Sequence, residues 1–344
     1  MKPPPAPPPL YRKMVSAIAI FLWILISATP GAHSSSLERL YVVNNVSSSV
    51  SVIDLATLGA VAEVPAGERP HDVNVDPRGR YFYVTVLFTE ASDDLLQIFD
   101  VNTNAFVASV VTGHQPVHVV PDHSGERLYV SNEAASTLSV ISVPEFKVIE
   151  TVKLKGRGPH GHVLTPDGRF VLTPNLRSGD VSRVDLARHQ VDRIELPPGA
   201  RPMAMGITGD GKVAFVTDVD LNRVYKIDVA QKTVVASLPV GKLPMQVPVH
   251  PTRPFLYIPC MGSSAVYKVS LDDWKVEKVI PVGPGPRGIA YRADGKYAYV
   301  TLSGEKPKGR VAVIDTETDT VQTTFPVGDG PDGIAVLFGK NQGW

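Results

Sequence analysis

The sequence contains a single cysteine, Cys260, among 344 residues. No intrachain disulfide can form, and the Cys-x-x-Cys-His motif of covalent haem attachment is absent. Charged residues make up only 20% of the chain, and 34 basic side chains balance 34 acidic ones. Because a chain without excess positive charge lacks the electrostatic attraction that dominates nucleic-acid binding, we exclude nucleic acid as the main partner.

Long apolar runs are scarce as well. One run, residues 14–28, follows three basic residues, but a membrane-spanning helix needs about 20 apolar residues. Ala32 and Ser34 place small side chains at the two positions that a signal peptidase reads. The pattern predicts a signal peptide over residues 1–34 and a mature domain over residues 35–344. We therefore expect a periplasmic or secreted protein with no stable membrane span after cleavage.

A repeated Gly-x-x-Pro tetrapeptide is the strongest positive signal. Its prolines are spaced by 46, 43, 43, 42, 42 and 45 residues, which matches the length of a four-stranded propeller blade. Within each period, short apolar and aromatic runs alternate with turns such as Asp76-Pro77-Arg78-Gly79, which favours strands over helices. The seven prolines are Pro70, Pro116, Pro159, Pro202, Pro244, Pro286 and Pro331.

The two ends of the mature chain complement each other. Residues 40–64 supply three strands and residues 332–338 supply one. Together they complete a blade and remove the last exposed sheet edge. The sequence therefore predicts an all-β, seven-bladed β-propeller of four-stranded antiparallel blades, closed by joining the C-terminal strand to the N-terminal three strands.

The second strand of each blade carries a recurring motif. Tyr41-Val42-Val43-Asn44, Tyr129-Val130-Ser131-Asn132 and Tyr299-Val300-Thr301 resemble the YVTN family of β-propeller repeats, and the resemblance covers residues 39–338. It implies a propeller fold and a secreted or periplasmic location, but it does not imply a particular reaction. Blades four and six depart from the motif with Thr173-Pro174-Asn175 and Pro259-Cys260-Met261, so we look for chemistry there.

The residue that follows each repeat proline is predicted to lie at one mouth of the central channel. Strand alternation adds His162 and Met205 one layer down, and a neighbouring loop brings Cys260 to the same face. His118 would reach the mouth only if its strand were shifted or bulged. The seven residues of the predicted ring are His71, Val117, His160, Met203, Met245, Arg287 and Asp332.

Soft-metal binding is the first hypothesis for this mouth. Imidazole, thioether and thiolate groups suit copper(I), and all four methionines that follow the leader lie on the three consecutive blades four to six. No compact metal-binding motif is present, so a packed or solvent-facing channel is the alternative. The predicted metal ligands are His160, His162, Met203, Met205, Met245 and Cys260.

Haem binding is the second hypothesis, because the chain has a distant similarity to the haem-binding propeller of cytochrome cd-type nitrite reductase. The resemblance implies His71 or His160 as an axial ligand and Arg287 as the partner of a propionate carboxylate.

Catalysis is the third hypothesis, since lactonases and other hydrolases occur on related propellers. A periplasmic hydrolase of lactonase type would need His71 or His160 as a general base with a carboxylate partner. Asp332, Asp218 and Glu133 are the candidate partners. No Gly-x-Ser-x-Gly motif marks a nucleophile.

Binding or scaffolding through the Gly-x-x-Pro face is the role that we favour from sequence. The partner would be a small ligand or a protein, and we expect the propeller to be a monomer. The remaining histidines fall in loops or turns and are predicted to lie on the surface: His114, His123, His189 and His250.

Overall fold

The computed structural model describes residues 38–87, 94–304 and 307–337. The predicted signal peptide, residues 1–34, lies outside the described residues. The described part consists of short strands joined by tight turns, with one 3₁₀ turn at Met261–Ser263. No helix within these ranges is long and apolar enough to cross a membrane.

The strands are short and evenly spaced along the described chain. The first eleven are β1 (Arg39–Asn44), β2 (Ser49–Asp54), β3 (Gly59–Pro65), β4 (Pro70–Val75), β5 (Tyr81–Val86), β6 (Leu95–Asp100), β7 (Phe106–Val111), β8 (Pro116–Pro121), β9 (Arg127–Asn132), β10 (Thr137–Ser142) and β11 (Lys147–Lys153). The next eight are β12 (Val163–Leu164), β13 (Phe170–Asn175), β14 (Asp180–Asp185), β15 (Gln190–Glu195), β16 (Pro202–Ile207), β17 (Val213–Asp218), β18 (Arg223–Asp228) and β19 (Thr233–Pro239). The last eight are β20 (Phe255–Cys260), β21 (Ala265–Ser270), β22 (Val276–Pro281), β23 (Pro286–Tyr291), β24 (Tyr297–Leu302), β25 (Arg310–Asp315), β26 (Thr320–Pro326) and β27 (Pro331–Leu337).

These strands form seven antiparallel sheets, each of which is one blade. Blade one has the order β27-β1-β2-β3, so the last described strand pairs with the first three. Val42 lies opposite Ile334 in this pairing. The seven-bladed all-β architecture and the predicted closure of the ring are both confirmed.

Because successive side chains of a strand point to opposite faces of the sheet, the two faces of a blade pack against different neighbouring blades. On β1, Leu40 and Val42 pack with Val311 of blade seven, whereas Tyr41 and Val43 pack with Phe82 of blade two. Buried β-branched and aromatic residues suit surfaces that are stacked on both sides. The core is therefore a series of layers between blades.

Hydroxyl groups on the second strand of four blades tie each blade to the next. Thr85 Oγ1 donates to the carbonyl of Val117 at 3.0 Å, and Ser131 Oγ donates to that of His160 at 2.9 Å. Thr217 Oγ1 donates to the carbonyl of Met245 at 2.7 Å. Each acceptor immediately follows a repeat proline, so these bonds position the residues at the channel mouth.

Blades four and six lack this hydroxyl because proline occupies the equivalent position, at Pro174 and Pro259. Their inner edges are irregular. In blade four, β12 has only two residues. In blade six, the isolated bridges of Pro244 with Cys260 and Val249 with Leu256 stand where a fourth strand would lie. Proline removes backbone donors from the ladder, which accounts for the irregular inner edge.

The prediction that His250 lies on the surface was wrong. Its side chain is buried, with a relative exposure of 3%. His250 Nε2 donates to the carbonyl of Gly295 at 2.8 Å, and Nδ1 accepts from the backbone N–H of Arg253 at 3.0 Å. The imidazole takes the place of the aspartate that caps the equivalent turn at Asp76, which accepts from the N–H of Arg80.

Candidate functional site

A cavity opens at the end of the channel where the inner strands begin. Its volume is about 20 Å³. Six of the seven predicted ring residues line it; the seventh, Val117, contributes its backbone carbonyl to a neighbouring histidine. The six are His71, His160, Met203, Met245, Arg287 and Asp332.

The rings of His71 and His160 are in edge-to-face contact at this cavity, with ring centres 5.3 Å apart. His71 Nδ1 lies 2.9 Å from the carbonyl of Val117, so Nδ1 carries the proton and Nε2 keeps its lone pair. The Nδ1 atom of His160 is buried without a hydrogen-bond partner. Because a buried polar atom is normally paired, this nitrogen is available to a ligand.

Burial keeps both rings neutral. Desolvation lowers the pKa of His71, although the nearby Asp332 carboxylate opposes the shift. Desolvation also holds the pKa of His160 well below the usual value, and the neighbouring His118 and His71 add to the effect. Neutral imidazoles offer lone pairs at neutral pH, which is the form that binds metal ions.

Two thioethers complete this end of the channel. Met203 begins the inner strand of blade five, and Met245 is held by the bond from Thr217 to its carbonyl. Met245 is nearly buried, with 8% relative exposure. The mouth therefore brings together imidazole nitrogen and thioether sulfur, both of which are ligands for soft metal ions.

His162 and Met205 lie deeper in the channel. They line a second cavity of about 190 Å³, which shares His118 and Gln246 with the mouth cavity. His162 Nε2 lies 3.1 Å from the carbonyl of Tyr129, and burial lowers its pKa to about 4. The two residues thus occupy the lower layer that strand alternation predicts and do not join the mouth residues.

Cys260 does not reach the channel. Its side chain is fully buried between blades five and six, among residues that include Phe215 and Leu256. Burial raises the pKa of the thiol to about 12. Because the thiolate is the form that binds metals, we leave Cys260 out of the site.

Arg287 is paired within the protein. Its guanidinium lies 3.2 Å from the Asp332 carboxylate, and its Nε atom is buried without a hydrogen-bond partner. An incoming anion would have to share Arg287 with Asp332. The arginine therefore offers a partly compensated positive charge at one wall of the mouth.

Sequence reasoning did not include His118 and Asp72 in the site. A bulge between Pro116 and His118 turns the His118 ring into the mouth cavity, which is the condition that the sequence analysis required. The Asp72 carboxylate lies 3.1 Å from His118 Nδ1. Burial alone would lower the pKa of His118, but the charge and hydrogen bond of Asp72 together with the Asp332 charge outweigh it and raise the pKa.

Of the three carboxylates considered as partners for a catalytic base, Asp332 lies in the mouth cavity and pairs with Arg287, and the other two are engaged elsewhere. Asp218 accepts from Tyr225 Oη at 3.0 Å, and Glu133 pairs with Arg177 at 2.8 Å. The pair of His118 with Asp72 is the arrangement in this cavity that comes nearest to an oriented general base.

The described ranges contain no group of three or more His, Cys, Asp or Glu side chains placed to hold a metal ion without rearrangement. A site built from two imidazoles and two thioethers needs only two residues of these types, because methionine supplies the other two donors.

The fold and the mouth define a seven-bladed propeller whose channel opens through a cluster of imidazoles and thioethers. The chain belongs to the YNCE-like beta-propeller family, whose model matches residues 86–342. No protein with a curated description matches it in sequence.

Several solved structures share the fold. Hydrazine synthase of Kuenenia stuttgartiensis is 21% identical with a TM-score of 0.73, over 82% of this chain and 93% of that one. Dihydro-heme d1 dehydrogenase NirN in complex with DHE is 13% identical with a TM-score of 0.64, over 87% of this chain and 75% of that one. A protein provisionally named a 6-phosphogluconolactonase, from Bacteroides fragilis, is 15% identical with a TM-score of 0.73, over 88% of this chain and 99% of that one. At these identities the similarity extends to the fold alone.

Proposed function

We propose that this protein is an exported binding protein whose channel mouth holds a soft metal ion, copper(I), through His71, His160, Met203 and Met245. The observation that carries the proposal is the meeting of two buried imidazoles and two thioethers in one cavity. The leader pattern of residues 1–34 supports export.

The donor set favours copper(I) over harder ions. Thioether sulfur selects soft ions, whereas magnesium and calcium require oxygen ligands. The hydrogen bond from His71 Nδ1 to a backbone carbonyl is of the kind that orients metal-bound imidazoles. The lone pair on His71 Nε2 is then free for the ion.

Haem is the second candidate ligand, supported by the fold shared with NirN, which was solved in complex with DHE. The mouth cavity of about 20 Å³ is far smaller than small-molecule pockets, which span about 300–1,000 Å³. A tetrapyrrole does not fit inside it and would have to lie over the Gly-x-x-Pro face. His71 or His160 would then serve as axial ligand, with Arg287 beside a propionate.

A hydrolase of lactonase type is the third candidate, for which the oriented pair of His118 and Asp72 is the supporting observation. The general base would be His118, in place of the His71 and His160 considered from sequence. A protein partner on the same face also remains compatible with the proposal.

Metal analysis and anaerobic Cu(I) competition titration of the purified protein test the proposal. We expect one Cu(I) per chain in the wild type and a loss of affinity in Met245→Ala and His160→Ala. His189→Ala is the matched control, because His189 is exposed and pairs with Glu150 on an outer strand.

The other candidates give different results in the same preparation. Absence of Cu(I) binding in the wild type, or equal affinity in all variants, would falsify the copper proposal. A Soret band on haem titration that disappears in His71→Ala would favour haem. Turnover of a lactone panel that is lost in His118→Ala, with the fold intact by circular dichroism, would favour hydrolysis.

A further inference from the structure

The mouth cavity contains a third imidazole whose position is set by the backbone. The bulge in β8 brings His118 into line with the two histidines discussed above. Its ring centre lies 5.3 Å from that of His71 and 4.9 Å from that of His160. Three imidazoles bound to one ion at about 2.0 Å hold their ring centres about 5 Å apart, so the spacing suits a shared ion.

Asp72 fixes the orientation of this ring. Its Oδ2 atom lies 3.1 Å from His118 Nδ1 and accepts from the backbone N–H of Val119 at 3.2 Å. The side chains of His118 and Asp72 are only 13% and 9% exposed. A carboxylate that holds one ring nitrogen leaves the other nitrogen for a ligand, as is usual for metal-bound histidine. Burying such a pair is costly, which argues for a role beyond packing.

One ring must turn before three nitrogens can meet, since no three-residue group of His, Cys, Asp or Glu in the described ranges is already arranged around an ion. His71 and His118 are each held at Nδ1. His160 has no hydrogen bond at Nδ1. Rotation of His160 therefore breaks no hydrogen bond at Nδ1, although it exchanges the contact of this ring with the backbone of Met203 for the ion, and this ring can complete the set.

The cavity thus has two kinds of donor on different blades. Thioethers from blades five and six suit copper(I), and imidazoles from blades two, three and four suit copper(II). We propose that the mouth binds copper in both oxidation states, with Met203 and Met245 selecting Cu(I) and His118, positioned by Asp72, supplying the third nitrogen for Cu(II). This inference rests on the proposed copper function and extends it to the second oxidation state.

Separate loading with each ion tests the inference. Cu(I) affinity is measured by anaerobic competition, and Cu(II) affinity by titration with electron paramagnetic resonance of the bound ion. We expect His118→Asn to lower the Cu(II) affinity by at least about tenfold, while the Cu(I) affinity is retained. Met245→Leu, which keeps the side-chain volume, is expected to show the opposite pattern. His189→Asn is the control for both ions.

Asp72→Asn separates positioning from folding. If Asp72 is a positioning residue, Asp72→Asn should lower the Cu(II) affinity by about 10–100-fold and change the hyperfine pattern of the Cu(II) spectrum. The Cu(I) affinity should be retained. A merely structural role would lower thermal stability without changing that pattern in the folded fraction.

Three results overturn the inference. They are a wild type that binds Cu(I) but not Cu(II), a His118→Asn variant that weakens both ions equally, and a Met245→Leu variant with unchanged Cu(I) affinity. Either of the first two results, with Cu(I) bound in the wild type, leaves the copper(I) proposal standing, whereas the third also removes Met245 from the proposed Cu(I) site. A wild type that binds neither ion ends both proposals.

Discussion

The thiol of Cys260 is withdrawn from solvent by the packing of blades five and six. Phe215, Val247 and Leu256 surround it, and desolvation accounts for the raised pKa of the thiol. At the scale of a single residue, burial decides whether a potential metal ligand is available. The side chain acts here as a small apolar group in the core.

Replacing Cys260 by alanine should leave the Cu(I) affinity of the mouth unchanged. We expect the free energy of unfolding to fall by about 1 kcal/mol, because the substitution removes one buried sulfur atom. Urea denaturation and Cu(I) competition measure the two quantities. In the wild type, Ellman's reagent at pH 8 should react only after unfolding. A large loss of copper affinity would mean that the thiol belongs to the site.

The positions that lie at the channel mouth were easier to predict from the sequence than the directions in which their side chains point. The repeat prolines fix which positions begin an inner strand, so His71, His160 and Met245 were assigned to the mouth before the fold was known. His118 depends on a bulge after the repeat proline, which recurs in blades two, three, five and seven and was recognised only from the pairing of the strands. Cys260 points into the layer between blades, because the strand that carries it alternates in that direction.

Blade junctions are the elements that set the geometry of the mouth. The Thr217 hydroxyl donates to the carbonyl of Met245 and accepts from the backbone N–H of Ala204 at 3.2 Å. One side chain thus joins two inner segments. The Tyr-Val-Thr pattern of the second strand is visible in the sequence, but this bonding role becomes clear only when neighbouring blades are seen together.

Thr217→Val removes the hydroxyl with little change in shape. Two buried backbone groups lose this partner, so we expect a loss of about 1–3 kcal/mol in the free energy of unfolding. Chemical denaturation measures the change. Thr233→Val, at an exposed position that begins β19, is the matched control and should change stability little. Equal stability of the two variants would contradict the assigned role of the hydroxyl.

A second recurring element is the aspartate-capped turn that follows the third strand. Asp100 Oδ1 accepts from the backbone N–H groups of Asn102 and Thr103 at 2.9 and 2.8 Å. Hydrogen bonds from Thr103 lower the pKa of Asp100. Backbone hydrogen bonds in the same arrangement lower the pKa of Asp54 and Asp315.

These turns predict loss of stability in acid. A carboxyl whose pKa is lowered by folding stabilises the protein above its unfolded value of about 3.9, and the stabilisation is lost as the pH falls through the folded pKa. We expect these turns to add no pH dependence between pH 7 and 5, and their stabilisation to fall below about pH 4. Asp100→Asn should cost about 0.5 kcal/mol at pH 7, since the group is exposed, and less at pH 3. Urea midpoints across pH measure this, and an equal cost at both pH values would contradict it.

The whole molecule is closed by the pairing of its two ends. Residues of β1 and β27 lie opposite each other across the sheet of blade one, and Ile334 packs with Leu40 in the adjoining core layer. The blade count and this closure followed from the sequence, because the spacing of the prolines and the incomplete end segments leave one arrangement. The irregular inner edges of blades four and six were signalled only by their prolines.

A chain that ends at Gly330 should lose this closure. Without β27, the channel-facing edge of β1 is unpaired and one wall of the channel is missing. We expect broad unfolding transitions and self-association, because an exposed edge pairs with other chains. Analytical ultracentrifugation and thermal denaturation measure both effects. A chain that ends at Leu337 keeps every described strand and serves as the control; similar behaviour of the two chains would contradict the closing role of β27.

The pairing of Val42 with Ile334 also constrains when the protein can mature. The partner of the first described strand follows all the other described strands in the chain, so blade one stays unfinished until they have been synthesised. Contacts between such distant positions form slowly. Six blades can therefore assemble before the seventh, and only the arrival of the final strand turns a row of sheets into a barrel-like ring.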